Sequence, residues 1–149
     1  MNARNLRSMD SNGSCDPFVR IHFLPEEKFA GIVKPRTNAQ SKTLFPLFDE
    51  KFVISLSPEQ KANKNAIILF SVKDKDLFGM SNQYIAETYL SFGEIPEADG
   101  GGAIEQIHLP LTRPYNLDTD CIRALEYRIG DKQAKEFLKK LKQKINNQA

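Results

Sequence analysis

With 149 residues, 40% of them hydrophobic and 27% charged, and a formal net charge of +2, the chain has the composition of a single soluble domain with a real core. Its longest apolar run, Ala66-Ile67-Ile68-Leu69-Phe70, falls far short of the roughly 20 residues of a membrane span, and its polar start, Met1-Asn2-Ala3-Arg4-Asn5, does not resemble a signal peptide. A cytoplasmic location is therefore expected. Cys15 and Cys121 have no short spacing between them, which excludes a disulfide framework and a zinc knuckle.

The charge is unevenly distributed. From Asp131 onward six lysines face Asp131 and Glu136, a net +4, so the preceding residues hold 15 basic against 17 acidic groups. A nucleic-acid binder carries its basic residues as a stripe on the folded domain, interleaved with stacking aromatics. No nucleic-acid partner is expected here.

In chain order, Asp10 and Asp16 come first, on the turn-rich segment Asp10-Ser11-Asn12-Gly13-Ser14-Cys15-Asp16-Pro17. Phe18 to Phe23 then alternates, with Val19, Ile21 and Phe23 on one side and Arg20 and His22 on the other, the period of a half-buried strand closed by Pro25. Lys42 to Phe45 predicts a short strand, and the even spacing of Phe48, Phe52, Ile54 and Leu56 predicts another, ended by Pro58. Residues 65 to 73 are β-branched and apolar on both faces, as in a central strand. That strand leads directly to Asp74 and Asp76.

Tyr84 to Leu90 and Ile104 to Leu111 resume strand composition around the flexible Glu97-Ala98-Asp99-Gly100-Gly101-Gly102, and Cys121 to Ile129 is read as one further strand. Several short strands separated by turn signals predict an all-β antiparallel sandwich or barrel. The ending differs. Asp131 is placed to cap an amphipathic helix with Ala134, Phe137, Leu138, Leu141 and Ile145 on one stripe and lysines on the other. Such a helix either lies on an anionic membrane or packs its stripe on the sheet, and packing is the commoner arrangement.

If two strand-connecting loops bring four carboxylates together, their repulsion is relieved by a divalent cation with a preference for oxygen. His22 and His108 lack a further nitrogen or thiolate nearby in sequence, so no zinc site is expected. Asp49 and Glu50 are assigned to structure. No nucleophile motif, phosphate-cradling glycine loop or substrate-sized insertion accompanies the acids, so no enzyme is expected.

Asp10 to Val19 resembles the first calcium loop of a C2 domain, in which an aspartate and a short turn precede Ser/Cys-Asp-Pro-Phe/Tyr-Val. Lys42-Thr43-Leu44-Phe45-Pro46-Leu47-Phe48-Asp49-Glu50-Lys51-Phe52 resembles the same domain's Lys-Thr-x-x-Pro-x-Phe-x-Glu-x-Phe segment, and Val72-Lys73-Asp74-Lys75-Asp76 its third-loop Asp-x-Asp. The combination with Glu126-Tyr127-Arg128-Ile129-Gly130-Asp131-Lys132 is similar to the last C2 domain of the non-neuronal branch of the Unc-13 family, which primes secretory vesicles.

The resemblance implies an eight-stranded antiparallel β-sandwich with a truncated first strand in a fragmentary chain, a C2 domain over residues 1–130 and a basic amphipathic helix over 131–149. It implies calcium held by Asp10, Asp16, Asp74 and Asp76 with Asn82 as a neutral oxygen, and Leu77, Phe78 and Met80 entering a bilayer surface. A fifth aspartate common in calcium-binding relatives is missing after Asp76, so one ion is expected and a second is conditional. Lys34, Arg36, Lys42 and Lys51 are candidates for a basic face toward phosphoinositides. The partner expected is an anionic, phosphatidylserine-bearing membrane reached from the cytoplasm, in calcium-dependent fashion; the rival is a calcium-independent domain binding SNARE proteins or a small GTPase.

Overall fold

The computed structural model describes residues 1–75, 83–97, 106–112 and 119–146. Three strands, β1 (Pro17–Leu24), β2 (Ile67–Asp74) and β3 (Gln83–Ser91), form one antiparallel sheet in the order β1-β2-β3. Pro17 stands opposite Asp74 and Leu24 opposite Ile67, while Asp74 and Ile67 face Gln83 and Ser91 on the other side. A bulge between Val72 and Lys73 shifts the second ladder by one residue. β2 is therefore the central strand, which explains why its apolar residues serve both faces.

The sheet extends beyond its named strands. Residues 35–43 run antiparallel to β1, with bonds from Ile21 N–H to Pro35 O, Thr37 N–H to Val19 O and Gln40 N–H to Pro17 O, each 2.9 Å. At the far edge Glu87 and Thr112 exchange two backbone bonds of 2.8 Å. Val19, Ile21 and Phe23, with Val72 and Ile85, give the buried face of the main core. Phe23, Phe29 and Phe92 meet there at centroid distances of 5.4 to 6.4 Å, in tilted and edge-on arrangements that suit the aromatic quadrupole.

Residues 1–6 and 44–56 cover that face. Ala3 N–H donates to Pro46 O, Leu6 N–H to Leu44 O and Phe48 N–H to Met1 O, at 3.0, 3.1 and 2.8 Å. From Phe48 to Leu56 the even residues turn inward and the odd ones face solvent, the alternation read from the sequence. Neither 42–45 nor 48–56 forms a regular ladder, because among the described residues only the first part of this stretch meets a partner chain segment. A short helix, α1 (Pro58–Ala62), follows, started by a capping box between Ser57 and Gln60.

Cys121 to Ile129 is not a strand. Thr119–Glu126 forms helix α2, because Cys121, Ala124 and Leu125 are buried at helical spacing, a period that Ile122 and Tyr127 masked in the sequence. α2 packs Ala124 on the outer face of the sheet against Leu24, Ile67 and Leu69, with Tyr89 and Tyr127 flanking. Helix α3 (Lys132–Asn146) begins where Asp131 Oδ1 accepts Ala134 N–H at 3.1 Å and buries Ala134 on Cys121 and Leu125, with Leu138 alongside. Ala134 and Leu141 are buried, whereas Phe137 stays partly exposed. Ala134 and Leu138 of the apolar stripe of α3 are thus spent on α2.

An ion pair between described residues ties this helical hairpin to the sheet. Arg128, just after α2, donates to Glu87 Oε1 at 2.6 Å, and the glutamate side chain is only 1% exposed. Removing one partner of such a pair leaves an uncompensated buried charge. Arg128→Met is expected to lower stability by about 3 to 5 kcal/mol in denaturant titration, and adding Glu87→Leu to restore most of the loss.

Candidate functional site

Antiparallel pairing sets Pro17, Asp74 and Gln83, the first residue of β1, the last of β2 and the first of β3, side by side at one end of the sheet. Into that end comes the first acidic loop. Met9 and Asp10 N–H both donate to Ser14 O, Gly13 N–H returns to Asp10 O, and Asn12 Oδ1 accepts from Ser14 N–H and from its hydroxyl. The turn requires a left-handed residue, met by Gly13 at φ +82° without steric cost. Asp10 is exposed, and its Oδ2 accepts the Ser14 hydroxyl at 3.2 Å.

The second acid is bound to the third. Asp16 N–H donates to Asp74 Oδ1 at 2.7 Å, and Lys75 N–H donates back to Asp16 O at 3.0 Å. Asp74 is almost fully buried, 5% exposed. Asp16 Oδ1 in turn accepts Lys42 N–H at 2.6 Å, with the Ser41 hydroxyl 3.5 Å away. Lys42 sits at φ +52°, uncommon for a residue with a side chain, so the backbone is bent to aim that N–H at the carboxylate. These are charge-assisted bonds to carboxylate oxygens.

Cys15, fully buried between these acids, registers their charge. Its thiol pKa is pushed up to about 11, first by burial and then by Asp74, Asp10 and Asp16 in that order. Three of the four predicted carboxylates therefore act on one point. Among the described residues no group of three His, Cys, Asp or Glu side chains is arranged to hold a metal. Asp76 and Asn82, and the apolar Leu77, Phe78 and Met80, lie outside the described residues.

The four basic candidates make different contacts. Lys34 pairs with Glu26 at 2.9 Å; the Arg36 guanidinium lies 4.6 Å from the centroid of the Phe18 ring, a cation–π contact. Lys42 belongs to the acidic end through its backbone, and Lys51 is exposed on the layer across the core. Sequence reasoning missed a tighter basic group on the opposite side of the sheet: Arg20, Lys73 and Arg128, with Lys34, all act on His22. Arg20 and His22 were legible as outward positions of β1. Arg128 was not, since it arrives from a segment read as strand.

A family model for the C2 domain matches residues 1–109, and the chain belongs to the C2 domain family. Within it the chain is similar to C2 regions of Unc-13 proteins. It is 54% identical over 142 residues to Protein unc-13 homolog 4B of Drosophila melanogaster, covering 95% of this chain and 12% of that protein. It is 34% identical over 142 residues to Protein unc-13 homolog D of Homo sapiens, covering 93% of this chain and 13% of that one. The chain thus spans only a small fraction of these relatives. A C2 domain of RIM from Drosophila superposes with a TM-score of 0.52 at 19% identity, over 63% of this chain and 71% of that one, which shows the shared fold.

His22, on the outer face of the sheet, gives the stability of the fold a pH dependence. Burial, followed by Lys34, Arg128, Lys73 and Arg20, holds its imidazole down at about 4, against 6.5 for an ordinary histidine. The unfolded chain takes up this proton first, so the contribution is complete above pH 6.5 and is lost as pH falls toward 4. His22→Gln is expected to flatten the stability profile between pH 6.5 and 4 by about 2 to 3 kcal/mol, read by urea denaturation at a series of pH values.

Proposed function

We propose that this chain is a calcium-dependent phospholipid-binding module of an Unc-13-type protein, docking to anionic membranes through its acidic sheet end. The observation that carries this reading is the convergence of Asp10, Asp16 and Asp74 around Cys15, with Asp76 two residues beyond Asp74 in the sequence. Carboxylate oxygens suit a hard cation, and Asn12 and Ser14 add neutral oxygens nearby. Bound calcium supplies positive charge that removes the repulsion between these acids and anionic head groups. Asp10, Asp16, Asp74 and Asp76, with Asn82, are the residues that hold it.

Leu77, Phe78 and Met80 follow Asp76 directly and enter the bilayer surface, each contributing up to about 1.5 to 3 kcal/mol if fully buried. In this reading residues 1–130 are the C2 domain, of eight-stranded sandwich type, and 131–149 its basic helical extension. The domain works as a peripheral cytoplasmic module at membranes of the secretory pathway. No described helix is long and apolar enough to cross a membrane.

A second reading has its own support. Asp16 Oδ1 and Asp74 Oδ1 already accept backbone N–H groups, so the acids serve structure even without a cation. That favours a calcium-independent interaction domain for a SNARE protein or a small GTPase. Co-sedimentation with phosphatidylserine vesicles separates the two. Binding is expected in calcium and release on chelation, and Asp10→Asn with Asp76→Asn, which spares buried Asp74, is expected to weaken calcium-dependent binding at least tenfold. Binding that ignores both chelator and substitution supports the second reading.

A further inference from the structure

Residues 41–45 form a turn fastened to the acidic end of the sheet. Thr43 N–H donates to Cys15 O at 2.9 Å, the Cys15 thiol reaches Thr43 O at 3.3 Å, and Lys42 N–H meets Asp16 Oδ1 at 2.6 Å. Phe45 N–H then donates to Thr43 Oγ1 at 3.0 Å, a local turn of the kind that hydroxyl side chains make. The backbone at Phe45 is thereby fixed. On either side of it Leu44 packs against the core and Pro46 is buried, so Phe45 points outward, as the alternation of an extended chain demands.

The Phe45 side chain is left 62% exposed, and Leu47, next on the same side, 65%. A lone apolar residue in water is ordinary. The setting of Phe45 is not, because cations surround it. Lys42 stands in the same turn, Arg7 follows Leu6, whose N–H donates to Leu44 O at 3.1 Å, and Lys75 N–H donates to Asp16 O. All three are exposed, and none pairs with an acid among the described residues.

We propose that Phe45 is a membrane anchor, with its ring in the interfacial layer of an anionic bilayer and Lys42, Arg7 and Lys75 against the head groups. The inference rests on the reading of the acidic end as a calcium-dependent docking site and extends it to a segment that carries none of the aspartates. Charge selects the bilayer as the occupant. An apolar tip ringed by unpaired cations suits an anionic surface, and an aromatic ring suits the boundary between head groups and acyl chains. Phe45 is held rigidly, so it is presented without an ordering cost, and Leu47 extends the contact along the same flank.

The chain contains no tryptophan, so Phe45→Trp introduces a single fluorescent reporter. Val53→Trp is its control. Val53 is 84% exposed on the same layer, on the stretch leading to Gln60, whose side-chain amide donates to Lys28 O beyond the opposite end of β1. With phosphatidylcholine–phosphatidylserine vesicles in calcium, the Phe45→Trp emission is expected to shift to the blue and to be quenched by brominated acyl chains, and that of Val53→Trp to do neither. Phe45→Ser is expected to weaken calcium-dependent co-sedimentation about tenfold, with the thermal midpoint and the lipid-free calcium titration unchanged. Co-sedimentation of both tryptophan variants with the Phe45→Trp emission unquenched, or with equal quenching at the two positions, overturns the anchor, gives the ring to a protein partner and leaves the calcium reading standing. Vesicles that bind neither variant in calcium overturn both.

Discussion

The register between β1 and β2 is the constraint on which the rest of this molecule depends. Setting Pro17 opposite Asp74 fixes, in one ladder, which loop ends become neighbours, and it gives Asp16 a place to donate its backbone N–H to a buried carboxylate. A one-residue slip would invert every side chain of β1, exchanging the apolar face of Val19, Ile21 and Phe23 for that of Arg20 and His22. The core and the acidic end therefore stand or fall together. Asp74 belongs to both, being the last residue of the central strand and the acceptor that seats the first loop.

That arrangement separates charge along the sheet. Carboxylates gather at one end around Cys15, while Arg20, Lys73, Arg128 and Lys34 surround His22 on the outer face. Each cluster is tolerated for a different reason. The acids are held by backbone N–H groups from Asp16 and Lys42, whereas among the bases Arg128 is balanced by Glu87 and Lys34 by Glu26, and the neutral imidazole between them adds no further positive charge. The helical hairpin contributes to the second cluster through Arg128 and to the core through Ala124, so it is joined to the sheet by burial and by charge at once.

What the sequence disclosed follows from where its signals are local. β1, β2 and β3 were legible because period-two alternation or a continuous β-branched run lies within each segment. The alternation of 48–56 was equally legible, yet strand identity also needs a partner, and pairing is not written in the segment itself. Thr119–Glu126 misled because Ile122 and the neighbouring Tyr127 favour strands, while the helical stripe of Cys121, Ala124 and Leu125 spans little more than one turn. At the acidic end, the aspartates announced themselves by type and spacing. The role of Lys42 did not, because it acts through its backbone, whose direction depends on a left-handed turn that lysine composition does not signal.

Cys15 acquires a use from this geometry that has nothing to do with thiol chemistry as such. Its pKa of about 11 is the sum of a fixed contribution from burial and a variable one from Asp74, Asp10 and Asp16. A cation that neutralises those carboxylates leaves the burial untouched and withdraws only the second part. The thiol is thus an internal voltmeter for the sheet end. It is wired to the three acids by their field and insulated from the solvent by its depth.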